Sequence, residues 1–280
     1  MIAPDRGRAN RTGVDPVGAG NGCQPRLVVT TSLKASADRE RHAITKAGEW
    51  GLPFVSRNKR GIGALIDGGG AALVFSNTDM HIATAETQLR FHLGTAFIRL
   101  KSLSRGEGDP LVRAGELAPG DHVVDTTFGL GRDATVAAHA IGATGRITAV
   151  ESSKALFHLA NEAMASAEPP SAAAPIALQR NGALEFLTEQ PDSSADVVLV
   201  DPMFTTPKNS DAGFTILREL ADTTPLSQEW IQQARRITRR WVVVKTGASL
   251  PWFGEESLDH LPGHSNAQWF RAPPTPSPNP

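Results

Sequence analysis

The stretch that most constrains this chain is Val123-Val-Asp-Thr-Thr-Phe-Gly-Leu-Gly-Arg-Asp-Ala-Thr-Val-Ala-Ala138: a short apolar run, a glycine turn, then helix formers. Strand, tight turn and helix in that order make a β–α unit, and such units stack into a parallel sheet covered by helices. Gly129 and Gly131 let the backbone turn sharply and approach a ligand with no Cβ in the way. The helix entered at Arg132 and Asp133 opens with unpaired N–H groups, and Asp125 at the strand end adds a carboxylate. A nucleotide-like cofactor is expected at this turn.

Two cofactors fit it. Gly129-Leu-Gly131-Arg-Asp-Ala134 satisfies the dinucleotide pattern G-x-G-x-x-G/A. Asp125 tilts the reading, because a carboxylate there repels the pyrophosphate of NAD and suits the cationic amino group of S-adenosylmethionine. The alternatives are an NAD-dependent oxidoreductase on the same turn, with His92 as its candidate acid or base, and a catalytically inactive protein that binds RNA or a partner.

From Val123 onward the strand–helix alternation is regular. Strand Arg146–Val150 ends at Glu151, twenty residues after Gly131, where an acid accepts hydrogen bonds from two ribose hydroxyls. Ser152-Ser153 then starts a helix to about Ser166, and strand Pro175–Gln179 ends at Arg180-Asn181-Gly182, where Asn181 meets an adenine edge. The run Asp196–Val200 leaves its strand as Asp201-Pro202-Met203-Phe204, at the sheet edge where ligands bind. A helix from Leu226 to Arg239 leads into strand Trp241–Val244, which ends at Lys245, and 265–271 supplies an edge strand.

Upstream, a β-rich run at 26–31, a helix at 37–50 and strands at 52–56, 63–67 and 71–75 predict a small α+β subdomain over 26–86. The segment Phe91–Lys101 runs from a strand or loop into a helix whose polar face presents Arg99 and Lys101. The cofactor domain is expected over 87–271, between a disordered leader at 1–25 and a disordered Pro-rich tail at 272–280. The formal net charge is −1, so any nucleic-acid contact rests on local basic clusters. Cys23 is the one cysteine, which leaves no disulfide framework and no cysteine metal site; no apolar run approaches membrane-spanning length. A reducing cytoplasm is the expected compartment, and the sequence leaves the oligomeric state open.

With Asp125, Gly129-x-Gly131, Glu151 and Asp201-Pro-Met-Phe204 in order, the chain resembles the class I S-adenosylmethionine-dependent methyltransferases. Within them it looks most like the RsmJ-type small-subunit rRNA guanine-N2 methyltransferases and their uncharacterised bacterial relatives. The resemblance runs from about Leu27 to about Lys245 and is most specific at 129–134, 201–204 and Val242-Val-Val-Lys245. It implies an α/β fold: a Rossmann-like seven-stranded sheet with helices on both faces, preceded by the small α+β subdomain. It further implies that Arg132 and Asp133 border the cofactor, that Glu151 and Ser152 meet its ribose and adenine side, that Gly182 lies near the adenine, and that Asp201 sits between cofactor and acceptor. Two departures concern the acceptor: Thr205-Thr206 intervene before Pro207-Lys208, and the family's basic glycine-rich run is reduced to Ser104-Arg-Gly-Glu-Gly108.

The chemistry expected is methyl transfer to an exocyclic amine of a base in RNA. Such an amine is a poor nucleophile because its lone pair is delocalised into the ring. The Asp201 carboxylate and the Pro202 carbonyl, by accepting the two amine hydrogens, turn the nitrogen towards tetrahedral geometry, and Phe204 stacks on the base. Arg99, Lys101 and Lys208 are the candidate phosphate contacts.

Overall fold

The computed structural model describes residues 26–67, 69–166, 172–202, 216–217, 219–222, 224–246, 258–261 and 267–276. Four short strands form a first sheet in sequential order: β1 (Leu27–Thr31), β2 (Ala71–Phe75), β3 (Met80–Ala83) and β4 (Gln88–Arg90). β1 runs parallel to β2, whereas β2, β3 and β4 are antiparallel. A parallel pair needs a long crossover, and here it contains helix α1 (Ala37–Glu49) and the single turn α2 (Ile62–Leu65). Ser36 caps α1 by accepting the Arg39 N–H on its side chain.

Two expectations for this region are corrected. Residues 52–56 are not a strand: they make one bridge, Phe54 to Val29, because Pro53 has no N–H to give to a ladder. Residues 63–67 are not a strand either. Ile62, Leu65 and Ile66 stand at i, i+3 and i+4, so one helical turn buries Leu65 and Ile66 together.

Helices α3 (Thr95–Ser104) and α4 (Pro110–Gly115) lead into the seven-stranded sheet. It comprises β5 (His122–Asp125), β6 (Arg146–Val150), β7 (Ile176–Gln179), β8 (Ala195–Val200), β9 (Thr238–Thr246), β10 (Asp259–Leu261) and β11 (Gln268–Ala272). Its helices are α5 (Arg132–Ile141), α6 (Lys154–Ala165), α7 (Ala183–Glu189) and α8 (Gln228–Ile237). The spatial order is β10-β11-β9-β8-β5-β6-β7, with β9 through β7 parallel and β11 antiparallel to β9. The chain builds outward from β5 to β7, then returns to lay β8 on the other side of β5. That reversal opens a crevice at the carboxyl ends of β5 and β8, where open α/β sheets bind ligands.

Alternate side chains of each strand enter opposite cores. Val123, Ile147, Val197 and Val243 pack under α4 and α5, whereas Val124, Val198, Val200 and Val242 pack under α7 and α8. Because both faces are covered, the strands read as unbroken apolar runs, each fully buried Val or Leu contributing about 1.5–3 kcal/mol. A third cluster joins the two sheets: Leu73, Phe75 and Ile82 meet Leu156 and Leu159 of α6 and Leu130 of the glycine turn. The small sheet thereby buttresses the turn from behind. No helix among the described residues is long and apolar enough to cross a membrane.

Candidate active site

The turn after β5 is built as its glycines demand. Gly129 and Gly131 adopt φ values of 55° and 68°, in the left-handed region. A Cβ on Gly131 would also lie 2.5 Å from the Phe128 ring, so this position excludes a side chain twice over. The turn directs the Gly129 N–H at Glu151 Oε2 (2.8 Å), while the Ser153 N–H donates to Oε1 (2.9 Å). Glu151 is 6% exposed, and burial pushes its carboxyl up to about 7; the two backbone donors pull downward, and Asp222 pushes up again. Asp222 also hydrogen-bonds Ser152. Gly129, Glu151, Ser152 and Asp222 line a small cavity of about 60 Å³, together with Ala183.

On the other side of the turn lies a larger cavity of about 320 Å³, lined by Asp125, Arg132, Asp133, Asp201, Lys245 and Trp269. Thr127, Gly129, Asp201 and Pro202 border both cavities. Asp125 is 3% exposed and accepts the Thr127 N–H at 3.0 Å. Burial pushes it up to about 7 against that hydrogen bond, helped by the charges of Asp133 and Asp201 and opposed by Lys245. Thr127 in turn accepts the Asp201 N–H on its hydroxyl at 2.8 Å, which ties the β5 turn to the tip of β8.

From Asp201 an alternating row of charges runs inward. Lys245 Nζ donates to Asp201 Oδ2 and to Asp133 Oδ2, each at 2.6 Å. Arg99 donates through Nη1 to the other oxygen of Asp133, and through Nε and Nη2 to both oxygens of Asp109 at 2.7 and 2.9 Å. Asp109 is itself the N-cap of α4, taking the Leu111 N–H. Burial alone would raise Asp133, but Lys245 and Arg99 outweigh it and hold the carboxyl down at about 2. Burial would lower Lys245 and Arg99, yet their carboxylate partners raise both. Asp201 is pushed up by burial and by Asp133, against the pull of Lys245.

The structure thus brings Asp125, Gly129, Arg132, Asp133, Glu151, Ser152, Asp201 and Pro202 to one edge of the sheet. Gly131 caps α5 beneath them. Asn181 and Gly182 sit further along, at the β7–α7 junction, where the Gly182 N–H donates to Asn181 Oδ1 at 2.8 Å. Phe204 and Lys208 lie outside the described residues. Arg99 departs from the expected phosphate contact: it is 21% exposed, and three of its N–H donors are taken by Asp109 and Asp133. Lys101 is exposed on α3, as are Phe97 (63%) and Ile98 (69%). His92 is also exposed, 3.5 Å from Arg132 Nη2.

Lys245, Trp269 and Asp222 line the site without having been assigned a part in it by sequence. Lys245 carried a signal, a cation ending an apolar strand at the ligand-binding edge. Trp269 and Asp222 carried none, since nothing in their neighbourhood marks a site.

Comparison with known proteins gives consistent matches. Residues 69–265 match the family model described as "Putative SAM-dependent methyltransferase". The chain is 32% identical over 233 residues to the uncharacterized protein YpiP of Bacillus subtilis, covering 81% of this chain and 91% of that one. It is 38% identical over 120 residues to ribosomal RNA small subunit methyltransferase J of Laribacter hongkongensis, covering 40% and 41% of the two chains. With the enzyme of the same name from Alkalilimnicola ehrlichii it shares 33% identity over 183 residues, covering 60% and 66%. Among solved structures, the SAM-dependent methyltransferase NGO1261 of Neisseria gonorrhoeae shares the fold, with a TM-score of 0.59 at 17% identity over 88% of this chain and 95% of that one.

Proposed function

We propose that this chain, which belongs to the class I S-adenosylmethionine-dependent methyltransferases and is RsmJ-like among them, methylates an exocyclic amine of a base in RNA, with guanine N2 of small-subunit ribosomal RNA as the favoured acceptor. S-adenosylmethionine is its methyl donor, and the dinucleotide alternative for the glycine turn falls away. The observation that carries the acceptor reading is the placement of Asp201-Pro202 at the switch point, between two cavities that meet at the glycine turn.

The residues present fit the donor. Arg132 Nε is buried with no partner among the described residues, and it suits the donor's carboxylate. Asp125 would hold the amino group, Glu151 and Ser152 the ribose, and Asn181 and Gly182 the adenine edge, with Gly129, Gly131 and Asp133 at the turn between them. The donor supplies a methyl group on a sulfonium. Asp201 Oδ2 is held by Lys245. Its other oxygen and the Pro202 carbonyl would accept hydrogen bonds from the two amine N–H groups, which would localise the nitrogen lone pair and aim it across the turn. Transfer would form the N–C bond as the sulfonium S–C bond breaks, leaving a neutral thioether, and the surplus amine proton would be released afterwards to solvent. Phe204 is assigned the stack on the base, and Lys208 a phosphate.

RNA as acceptor draws on α3. Helix α3 contains no carboxylate and Arg99 points inward, so its outer face presents Phe97, Ile98 and Lys101, with Arg105 at its end paired to Glu107. An exposed aromatic beside a lysine is a composition that stacks on and partly neutralises a single strand. A base inside paired RNA must first be extruded into the larger cavity. Such an enzyme works in the cytoplasm.

The test is transfer of labelled methyl from S-adenosylmethionine to an in vitro transcript of small-subunit rRNA, followed by digestion to nucleosides. Label in N2-methylguanosine is the expected result. Label in another nucleoside would refute the assigned atom, and a protein that binds S-adenosylhomocysteine yet labels no RNA, free or in subunits, would refute the RNA reading.

A further inference from the structure

We propose that Lys245 is the positioning residue of the acceptor site: it grips Asp201 by one oxygen and keeps that carboxylate charged among neighbouring acids, leaving the second oxygen to the amine. The inference rests on the reading of Asp201 above. Its geometry is independent of it.

Lys245 lies near the carboxyl end of β9, beside β8, and its Nζ stands 2.6 Å from Asp201 Oδ2 and 2.6 Å from Asp133 Oδ2. In register with it on β11 is Trp269, whose ring centroid is 5.7 Å from Nζ and closes that side with an apolar wall. Among the described residues, the charged groups facing Asp201 are Lys245 from β9, Asp133 from α5 and Asp125 from β5. Behind Asp133 stands Arg99 of α3, which is anchored on Asp109 and does not reach Asp201. Among these described groups, two acids and one cation face the acid that has to stay ionised.

Removing the cation leaves Asp201 beside Asp133 and Asp125 with no counter-charge among the described residues. A carboxyl so placed takes up a proton. A protonated Asp201 is a donor where the amine requires an acceptor, and its orientation is no longer fixed. Lysine suits the task because its compact ammonium offers donors to both carboxylates at once.

The experiment follows the charge of Asp201 directly, by its side-chain carboxyl carbon resonance in protein labelled at aspartate, assigned by its loss in Asp201→Asn. In Lys245→Met the Asp201 titration is expected to rise by about one to three pH units. Transfer to the rRNA transcript should fall most steeply at neutral pH and recover in part as the pH is raised. Lys245→Arg should lie between wild type and the Met variant in both readouts. An unmoved titration, or a fall in transfer uniform across pH, would overturn the proposal. If Lys245→Met does not fold, as judged by loss of the thermal shift with S-adenosylhomocysteine, Asp133→Asn gives the opposite readout. Removing the like charge should lower the Asp201 titration, and no change would overturn the proposal. Full transfer by Asp201→Ala would instead refute the role of Asp201, while the titrations still report whether Lys245 sets its charge.

Discussion

Glu151 and Asp201 end β6 and β8 on either side of the glycine turn, the first buried and the second partly exposed, and the protein holds the two carboxylates by different means. Glu151 is held by the backbone N–H groups of Gly129 and Ser153, with no cation paired to it among the described residues. Asp201 is held by a counter-ion, Lys245, itself shared with Asp133 and backed by Arg99 and Asp109. Backbone amides neither titrate nor swing away, so Glu151 is a fixed acceptor suited to a ligand that is always the same. A carboxylate in a row of charges has its own charge set by its neighbours, which suits a group that must meet a reacting amine. On the proposed reading, the difference separates the side of the site that binds the donor from the side that orients the acceptor.

The largest expected effect breaks the orienting side. Asp201→Asn should reduce methyl transfer to the rRNA transcript about 10²–10³-fold at saturating donor, the range for removing one preorganised electrostatic partner. Steady-state kcat checks it. Glu151→Gln attacks the binding side and should weaken S-adenosylhomocysteine about 10–100-fold by calorimetry, one or two charge-assisted hydrogen bonds' worth.

The pH dependence sharpens the same division. Glu151 and Asp125 both have carboxyls pushed up to about 7, so both are ionised above that pH and neutral below it. Affinity for S-adenosylhomocysteine should therefore fall as pH drops through about 7, and in Glu151→Gln the remaining slope should be that of Asp125 alone. Phe97→Ala should raise KM for the transcript about tenfold, with KM for the donor unmoved, if one flanking base stacks there.

The smallest effect concerns stability. Asp125 has its folded-state pKa raised, so the native protein binds this proton more tightly than the unfolded chain. The penalty is absent below the unfolded value, grows as pH rises towards about 7, and is complete above it. Asp125→Asn keeps the bond to the Thr127 N–H and removes the charge. It should raise Tm above pH 7 by roughly 2–4 °C per kcal/mol recovered, with no gain well below pH 4. A gain of equal size at both ends of the pH range would contradict the burial argument.

What could be read in the sequence follows the same divide. Glu151 stood out because its partners are close along the chain: strand, glycine turn and strand form one local pattern. Asp201 stood out as a strand end, yet its partner did not, because Lys245 meets Asp133 across 112 residues and Asp201 across 44. Arg99 shows the same limit. Exposed on a helical wheel, it read as a phosphate contact, and only the fold brings Asp109 and Asp133 to its guanidinium. In the seven-stranded sheet, apolar runs covered on both faces announced β5, β6, β8 and β9. In the small sheet, Pro53 spoiled one expected strand, Ile62, Leu65 and Ile66 wound into a helical turn, and β4 buries only Leu89.

The most direct test of this division is the affinity of S-adenosylhomocysteine, by titration calorimetry above pH 7, for wild type, Asp201→Asn and Glu151→Gln. Asp201→Asn is expected to bind within about threefold of wild type, a change under 1 kcal/mol, while Glu151→Gln loses about 10–100-fold. Equal losses in the two variants, or a larger loss in Asp201→Asn, would contradict the assignment of one carboxylate to the donor and the other to the acceptor.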